Sequence, residues 1–143
     1  MLRMEKVFVS EITPIKVEFY DVDAMNVVWH GNYVKFLEAA RCALLDKIGY
    51  GYKEMVRDGY AFPVTTMNLK YIRPLLFAEK AVVKTYLVEY ENRIKIKYEI
   101  YNEKGELSTK AETTQMALNL KTHESEFECP KKFVELVKKF SDE

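Results

Sequence analysis

Apolar and polar residues alternate with period two along much of this chain and with a period near 3.6 in two places. Residues 93–101, RIKIKYEIY, alternate most cleanly. Ile94, Ile96, Tyr98 and Ile100 fall on one face, and Lys95, Lys97 and Glu99 on the other. That is the pattern of a strand with one buried face. Residues 12–20, ITPIKVEFY, set Ile15, Val17 and Phe19 against Lys16, Glu18 and Tyr20, with Pro14 suited to a first residue or an exposed edge. Further strands are predicted over 64–72, where Arg73-Pro74 stops the run, over 81–90 and over 107–120. Glu91-Asn92 and Asn102–Gly105 are the turns between the last three. The helical period appears at Tyr33, Phe36, Leu37, Ala40, Leu44 and Ile48, with Glu38, Arg41 and Lys47 facing elsewhere. Asn32 is the expected N-cap, and Gly49 and Gly51 end the helix. A short second helix is predicted over 52–58. A last one after Pro130 carries Phe133, Leu136, Val137 and Phe140 on one stripe.

The predicted order is strand, long helix, four strands in hairpin succession, final helix. An antiparallel meander offers one face, and the long helix is the only element large enough to cover it. The expected class is α+β, a sheet wrapped around one helix. No repeat, low-complexity segment or linker interrupts residues 1–143, which read as a single domain.

Charge narrows the function. Lys plus Arg is 22 and Asp plus Glu is 22, for a net charge of zero. A general nucleic-acid binder usually carries net positive charge to replace phosphate counterions, so no nucleic-acid partner is expected. A local basic patch for a phosphorylated group stays open. The 31% charged fraction with a single glutamine, Gln115, hints at a heat-adapted source. Cys42 and Cys129 form no C-x-x-C pair, which fits a reducing compartment and no zinc. Neither a signal peptide nor a run long enough to span a bilayer is evident. The expectation is a cytoplasmic protein with no membrane partner.

Candidate chemistry concentrates in residues 19–33, FYDVDAMNVVWHGNY, between the first strand and the long helix. Asp21 and Asp23 sit two apart, followed by Trp29-His30 and Gly31-Asn32. A bare D-x-D in a loop is most simply a turn or a cap. Asp21, Asp23 and His30 as metal ligands would be three ligands in one loop without a second cluster, a poor metal signal. No metal is expected.

The whole stretch in register resembles the hotdog-fold acyl-CoA thioesterases of the 4-hydroxybenzoyl-CoA thioesterase type, nearest the Tol–Pal-associated bacterial branch. The matching positions are Tyr20, Asp21-Val22-Asp23, Val27-Val28, Trp29-His30, Gly31, Asn32-Tyr33, Glu38 and Ala40-Arg41. Lys70-Tyr71-Ile72-Arg73-Pro74 matches the strand that ends in an x-x-Pro turn. The family usually has Gly where this chain has Asn26, and Asn tolerates positive φ better than most residues.

The resemblance implies a hotdog fold, an antiparallel sheet around one long central helix. It implies hydrolysis of a fatty or aromatic acyl-CoA to the free acid and CoA, with no cofactor beyond the CoA of the substrate. Asp23 would attack the thioester or activate a water. His30 would act in acid–base chemistry or orient the carbonyl, or be a structural imidazole. Amides near His30 and Gly31 would hold the oxyanion, with the small residue at 31 admitting the carbonyl, and Asn32 would start the helix. Asp21 is expected to fix the loop, and Glu38 to pair with Arg41 at i, i+3. Trp29 and Tyr33 would line an acyl pocket or belong to the core. Lys70, Arg73, Arg93, Lys95 and Lys97 are candidates for a basic rim around the CoA phosphates, against a solvated strand face. The family pairs sheets edge to edge, so a homodimer or homotetramer with sites at the interface is expected. The alternatives are an enzyme acting on acyl-carrier-protein thioesters and a non-catalytic dimeric module that binds acyl ligands.

Overall fold

A computed structural model describes residues 5–141. Five strands, β1 (Val9–Lys16), β3 (Val64–Tyr71), β4 (Lys80–Glu89), β5 (Ile94–Tyr101) and β6 (Leu107–Gln115), form one antiparallel sheet. Two short strands, β2 (Tyr60–Ala61) and β7 (Leu118–Asn119), pair with each other. The helices are α1 (Tyr33–Lys47), α2 (Tyr52–Arg57) and α3 (Lys131–Ser141).

The alternation seen at 93–101 is real. Ile94, Ile96, Tyr98 and Ile100 are all buried, and the intervening positions are half-exposed. This strand lies at the centre of the sheet, between β4 and β6, and its inward face is buried along its whole length. Helix α1 lies against β1 and β4 and buries Leu37, Ala40 and Leu44 completely. At the other end Phe133 of α3 packs against Tyr50 and Phe62, with ring centroids 5.2 and 6.0 Å away.

Three expectations change. The strand order is β1-β4-β5-β6-β3, so the four later strands are not a simple meander. β3 does not pair with β4; it pairs with β6 at the far edge, and β4 pairs with β1. The connection from β3 to β4 therefore crosses the end of the sheet. The first strand runs over 9–16 rather than 12–20, because Phe19–Asp21 form a turn of 3-10 helix. Ile15 and Val17 keep their inward places, but Phe19 is 72% exposed. The predicted strand over 107–120 divides into β6 and β7.

Arg41 departs from its predicted polar face. It is 8% exposed, inside the rim of the core. Among the described residues no helix is long and apolar enough to cross a membrane.

Candidate active site

The segment between β1 and α1 is a small hairpin held from both sides. Val22 pairs with Val28, and the Asp23 N–H donates to the Val27 carbonyl at 2.9 Å. Asp23 also accepts from the Asn26 N–H through its carbonyl and from the Met25 N–H through Oδ1, at 3.0 and 2.8 Å. Asn26 closes this turn with φ +65°, the left-handed angle that asparagine enters more easily than other side chains do. The crossover between β3 and β4 braces the hairpin. The Val28 N–H donates to Leu75 O at 2.9 Å, and Val27 bridges to Leu76.

Asp21 anchors the junction. Its side chain is nearly inaccessible; Oδ2 accepts from the Glu18 N–H at 2.9 Å, and Oδ1 meets Lys35 Nζ of α1 at 3.0 Å. Its carbonyl accepts from the Trp29 N–H and from Asn32 Nδ2, at 3.0 and 2.8 Å. Asp21 thus ties the end of β1, the hairpin's return and the helix into one unit. Asp23, two residues on, is exposed.

Asn32 stands at the N-cap position of α1, as expected, but it does not cap the helix with its side chain. Its backbone is helical (φ −72°, ψ −18°) and its side chain caps no amide; it reaches back to Asp21 instead. The helical turn begins earlier, in a 3-10 segment over His30–Asn32 that runs directly into α1. The Asn32 N–H donates to Trp29 O and the Tyr33 N–H to His30 O. The amides of His30 and Gly31 find no acceptor among the described residues. They are the unpaired donors of a helix start, at the positive end of its dipole.

The surroundings are aromatic. The Trp29 indole is 52% exposed and folds over Gly31: a Cβ there would lie 2.2 Å from the ring. The room left by Gly31 is thus filled by Trp29 rather than open. His30 is exposed, tilted against Trp29 with centroids 4.9 Å apart, and its carbonyl accepts from the Tyr71 hydroxyl at 3.0 Å. Tyr33 is a core residue, 2% exposed; its hydroxyl accepts from the Leu75 N–H at 3.0 Å, and burial pushes its pKa up.

The five basic candidates do not gather into a single cluster. Lys70 and Lys97 line one groove on the outer face of the sheet, and Lys95 shares that face. Arg73 lies past the end of β3 that adjoins His30, beside Glu106 at 3.8 Å. Arg93 sits at the opposite end of the sheet, paired with Glu89 at 3.1 Å. Lys95 pairs with Glu112 at 3.3 Å, and Lys97 with Glu5. Among the described residues, no group of three or more His, Cys, Asp or Glu is arranged to hold a metal.

A second feature escaped the sequence reading. A cleft of about 480 Å³ opens between the second half of α1, α2 and the β2 region, with walls that include Leu45, Met55 and Phe62. Arg41 and Gln115 both line it. The Glu38–Arg41 spacing predicted their pairing, which is present, but nothing in the sequence marked Arg41 as buried.

A five-stranded antiparallel sheet wrapped on one long helix, with a polar strand-to-helix junction at the helix start, is the hotdog fold of thioester hydrolases. The thioesterase-like superfamily matches residues 17–140, and the chain belongs to it. The provisionally named acyl-CoA thioesterase YneP of Bacillus subtilis is 36% identical over 106 residues, 73% of this chain and 77% of that one. A DHNA-CoA thioesterase from Staphylococcus aureus superposes with a TM-score of 0.76 at 37% identity, covering 81% of this chain and 78% of the other. The acyl-CoA thioester hydrolase YbgC of Escherichia coli is 31% identical over 72 residues, 50% of this chain and 54% of its own length. The protein is a thioester hydrolase.

Proposed function

We propose that the protein hydrolyses a fatty or aromatic acyl-CoA to the free acid and CoA, with Asp23 and the start of α1 as its reaction centre. The observation that carries this is the pair of unpaired amides at His30 and Gly31, in the same strand-to-helix junction as an exposed Asp23 on a hairpin that Asp21 fixes. A thioester carbonyl seated on these amides develops negative charge where donors already wait. Asp23 then forms a bond to the carbonyl carbon, or takes a proton from a water that does so. The C–S bond breaks, and CoA leaves as the thiolate and is protonated. On the nucleophilic route, water then cleaves the acyl–aspartyl anhydride. His30, exposed beside Trp29, is available to orient the carbonyl or to move a proton. Trp29 must swing off Gly31 for the carbonyl to reach that amide. The swing is cheap for a half-exposed ring.

The CoA phosphates would draw on the group Lys70, Arg73, Arg93, Lys95 and Lys97. Arg73 and Arg93 lie at opposite ends of one sheet, so a continuous basic rim needs two protomers. β3 supports that reading, because its outer edge pairs with no other strand among the described residues. A homodimer or homotetramer, with each site at an interface, joins two such edges. Cytoplasmic location, and catalysis with no metal or added cofactor, belong to the same proposal.

The test is thiol release over a panel of acyl-CoAs and acyl-carrier-protein thioesters, on wild type and Asp23→Asn together. We expect release from CoA thioesters, and a loss of at least about a hundredfold in kcat/KM in the variant, with an unchanged oligomer by light scattering. Full turnover by Asp23→Asn would remove Asp23 from the mechanism. Preference for the carrier-protein thioester would reassign the substrate. Acyl-CoA binding without any thiol release would leave a ligand-binding module.

A further inference from the structure

Tyr71 is the last residue of β3 and is exposed, yet its hydroxyl is committed to a backbone atom of the reaction centre. It donates to His30 O at 3.0 Å. The residue is held from several sides. Its backbone pairs with Thr109 of β6, and just beyond it the Ile72 and Arg73 N–H groups both donate to Ser108 O, at 2.8 and 3.0 Å. The ring packs edge-on against Tyr33, with centroids 5.1 Å apart. Tyr33 is in turn fixed in the core, where its hydroxyl accepts from the Leu75 N–H. A strand end and a buried ring therefore aim the Tyr71 hydroxyl at the start of the helix.

The His30 carbonyl and the Gly31 N–H are two ends of one peptide group. Resonance couples them: a proton donated to the oxygen draws density from the nitrogen and makes the N–H a stronger donor. His30 O accepts twice, from the Tyr71 hydroxyl and from the Tyr33 N–H. The neighbouring peptide group carries the His30 N–H, and its oxygen, Trp29 O, accepts from the Asn32 N–H at 2.8 Å. Backbone donors of that kind come with any turn of 3-10 helix. The hydroxyl does not. Among the described residues it is the one side-chain donor to either carbonyl, and it comes from a different element.

We infer that Tyr71 is a positioning residue of the oxyanion site: its hydroxyl holds and polarises the His30–Gly31 peptide group, so that the Gly31 N–H meets the developing oxyanion as a stronger donor. The inference rests on the acyl-CoA reading above and adds a residue to that site. Tyr71 acts through the peptide group, and the role asks for no contact between its ring and the thioester. The hydrogen bond is in place before any substrate arrives, so it needs no reorganisation during the reaction.

The size of the effect follows from two general magnitudes. Losing an oxyanion donor outright costs about 10²–10³ in rate, and one hydrogen bond strengthens the next in a chain by about 10–30%. Taking that fraction of the logarithm gives about a two- to eightfold effect for the Tyr71 hydroxyl. Because only the transition state bears the oxyanion, the effect belongs to the maximal rate and not to substrate binding.

The test is single-turnover thiol release on the acyl-CoA panel, decanoyl-CoA and benzoyl-CoA included, by wild type, Tyr71→Phe and protein in which Tyr71 is replaced by 3-fluorotyrosine. Phenylalanine keeps the ring contact with Tyr33 and removes only the hydroxyl, with folding checked by thermal melting. Tyr71→Phe should lower the maximal rate about two- to eightfold and leave the half-saturating concentration unchanged. The fluorinated phenol is more acidic and donates more strongly, so at about pH 6, where such a phenol stays protonated, its rate should exceed that of wild type. A tyrosine that merely braces the turn gives no such gain. A wild-type rate in Tyr71→Phe, a change confined to half-saturation, or a fluorinated protein no faster than wild type overturns the inference. Should Tyr71→Phe melt early, the fluorinated protein decides alone. If wild type releases no thiol from any acyl-CoA, the acyl-CoA reading fails and this inference falls with it; thiol release by wild type with either contrary result sinks the inference alone.

Discussion

Gly31 is glycine for want of room rather than for its backbone angle. The Trp29 ring occupies the place of its side chain. Gly31→Ala should push the indole away into water while changing stability by no more than about 1 kcal/mol, since alanine also narrows the unfolded ensemble. Trp29 is the single tryptophan of the chain, so its fluorescence reports this movement alone. Emission should shift to longer wavelength, and an unchanged spectrum would show that the ring does not rest there. Asp21 and Asp23 look equivalent in the sequence but are placed differently, the first buried and the second exposed. Removing the Asp21 carboxylate strands the Glu18 N–H and releases Lys35. Asp21→Ala should therefore cost about 1–3 kcal/mol, read as a lower denaturation midpoint, whereas Asp23→Asn should cost little stability. The motif separated the two aspartates. The surroundings explain why: the first is buried between the Glu18 amide and Lys35, whereas the second is exposed and, among the described residues, its carboxylate meets only the Met25 amide of its own turn. Arg41 could not have been placed from sequence, because charged side chains are rarely buried. Its i, i+3 relation to Glu38 was the one available signal, and it fits an exposed pair equally well.

Among the elements, the best-read strand is β5. It has neighbours on both sides and one wholly buried face, so every second residue feels the same environment. β1 was read past its end because Phe19 and Tyr20 continue the alternation in residue type. The chain stops obeying it where Asp21 captures the amide of Glu18 and closes a 3-10 turn. Helix α1 was legible from its apolar stripe, but its true start was not. His30–Asn32 lack a capping side chain, so the helix begins in a tighter turn that no sequence signal announces. The strand order was also beyond reach. Hairpins are encoded locally in turns such as Asn102–Gly105, whereas the pairings of β1 with β4 and β3 with β6 are made between distant segments. The two thiols sit on contrasting elements. Cys42 is exposed on α1, and Cys129 is buried before α3, where desolvation pushes its pKa to about 12. A maleimide at pH 8 should label one thiol per native chain and two after denaturation; labelling of both in the native state would contradict this packing.

For the whole molecule, alkaline pH is the predicted weak side. Cys129 and Tyr86 both have pKa values raised to about 12, chiefly by burial, from ordinary values of 9.0 and 10.0. Between the ordinary and raised values the unfolded chain has lost these protons and the folded chain keeps them. The unfolded state then binds fewer protons, so stability falls as pH rises. The melting temperature should decline from about pH 9 upward, and Cys129→Ala should make that decline shallower. A flat profile to pH 11 in wild type would count against the packing of both groups. The order β1-β4-β5-β6-β3 has a further consequence, in the time the chain takes to be made. β3 is synthesised early, yet its only partner strand among the described residues is β6, so all of β4 and β5 must emerge before it can pair. β1 likewise waits for β4. During synthesis the nascent chain holds two orphan strands, with the aromatic junction between them, and neither can be sheltered by a local hairpin. Such intermediates are open to mispairing with other chains. On a crowded ribosome, then, the vulnerable moment of this fold falls late, after the helix is complete and before the final hairpin closes.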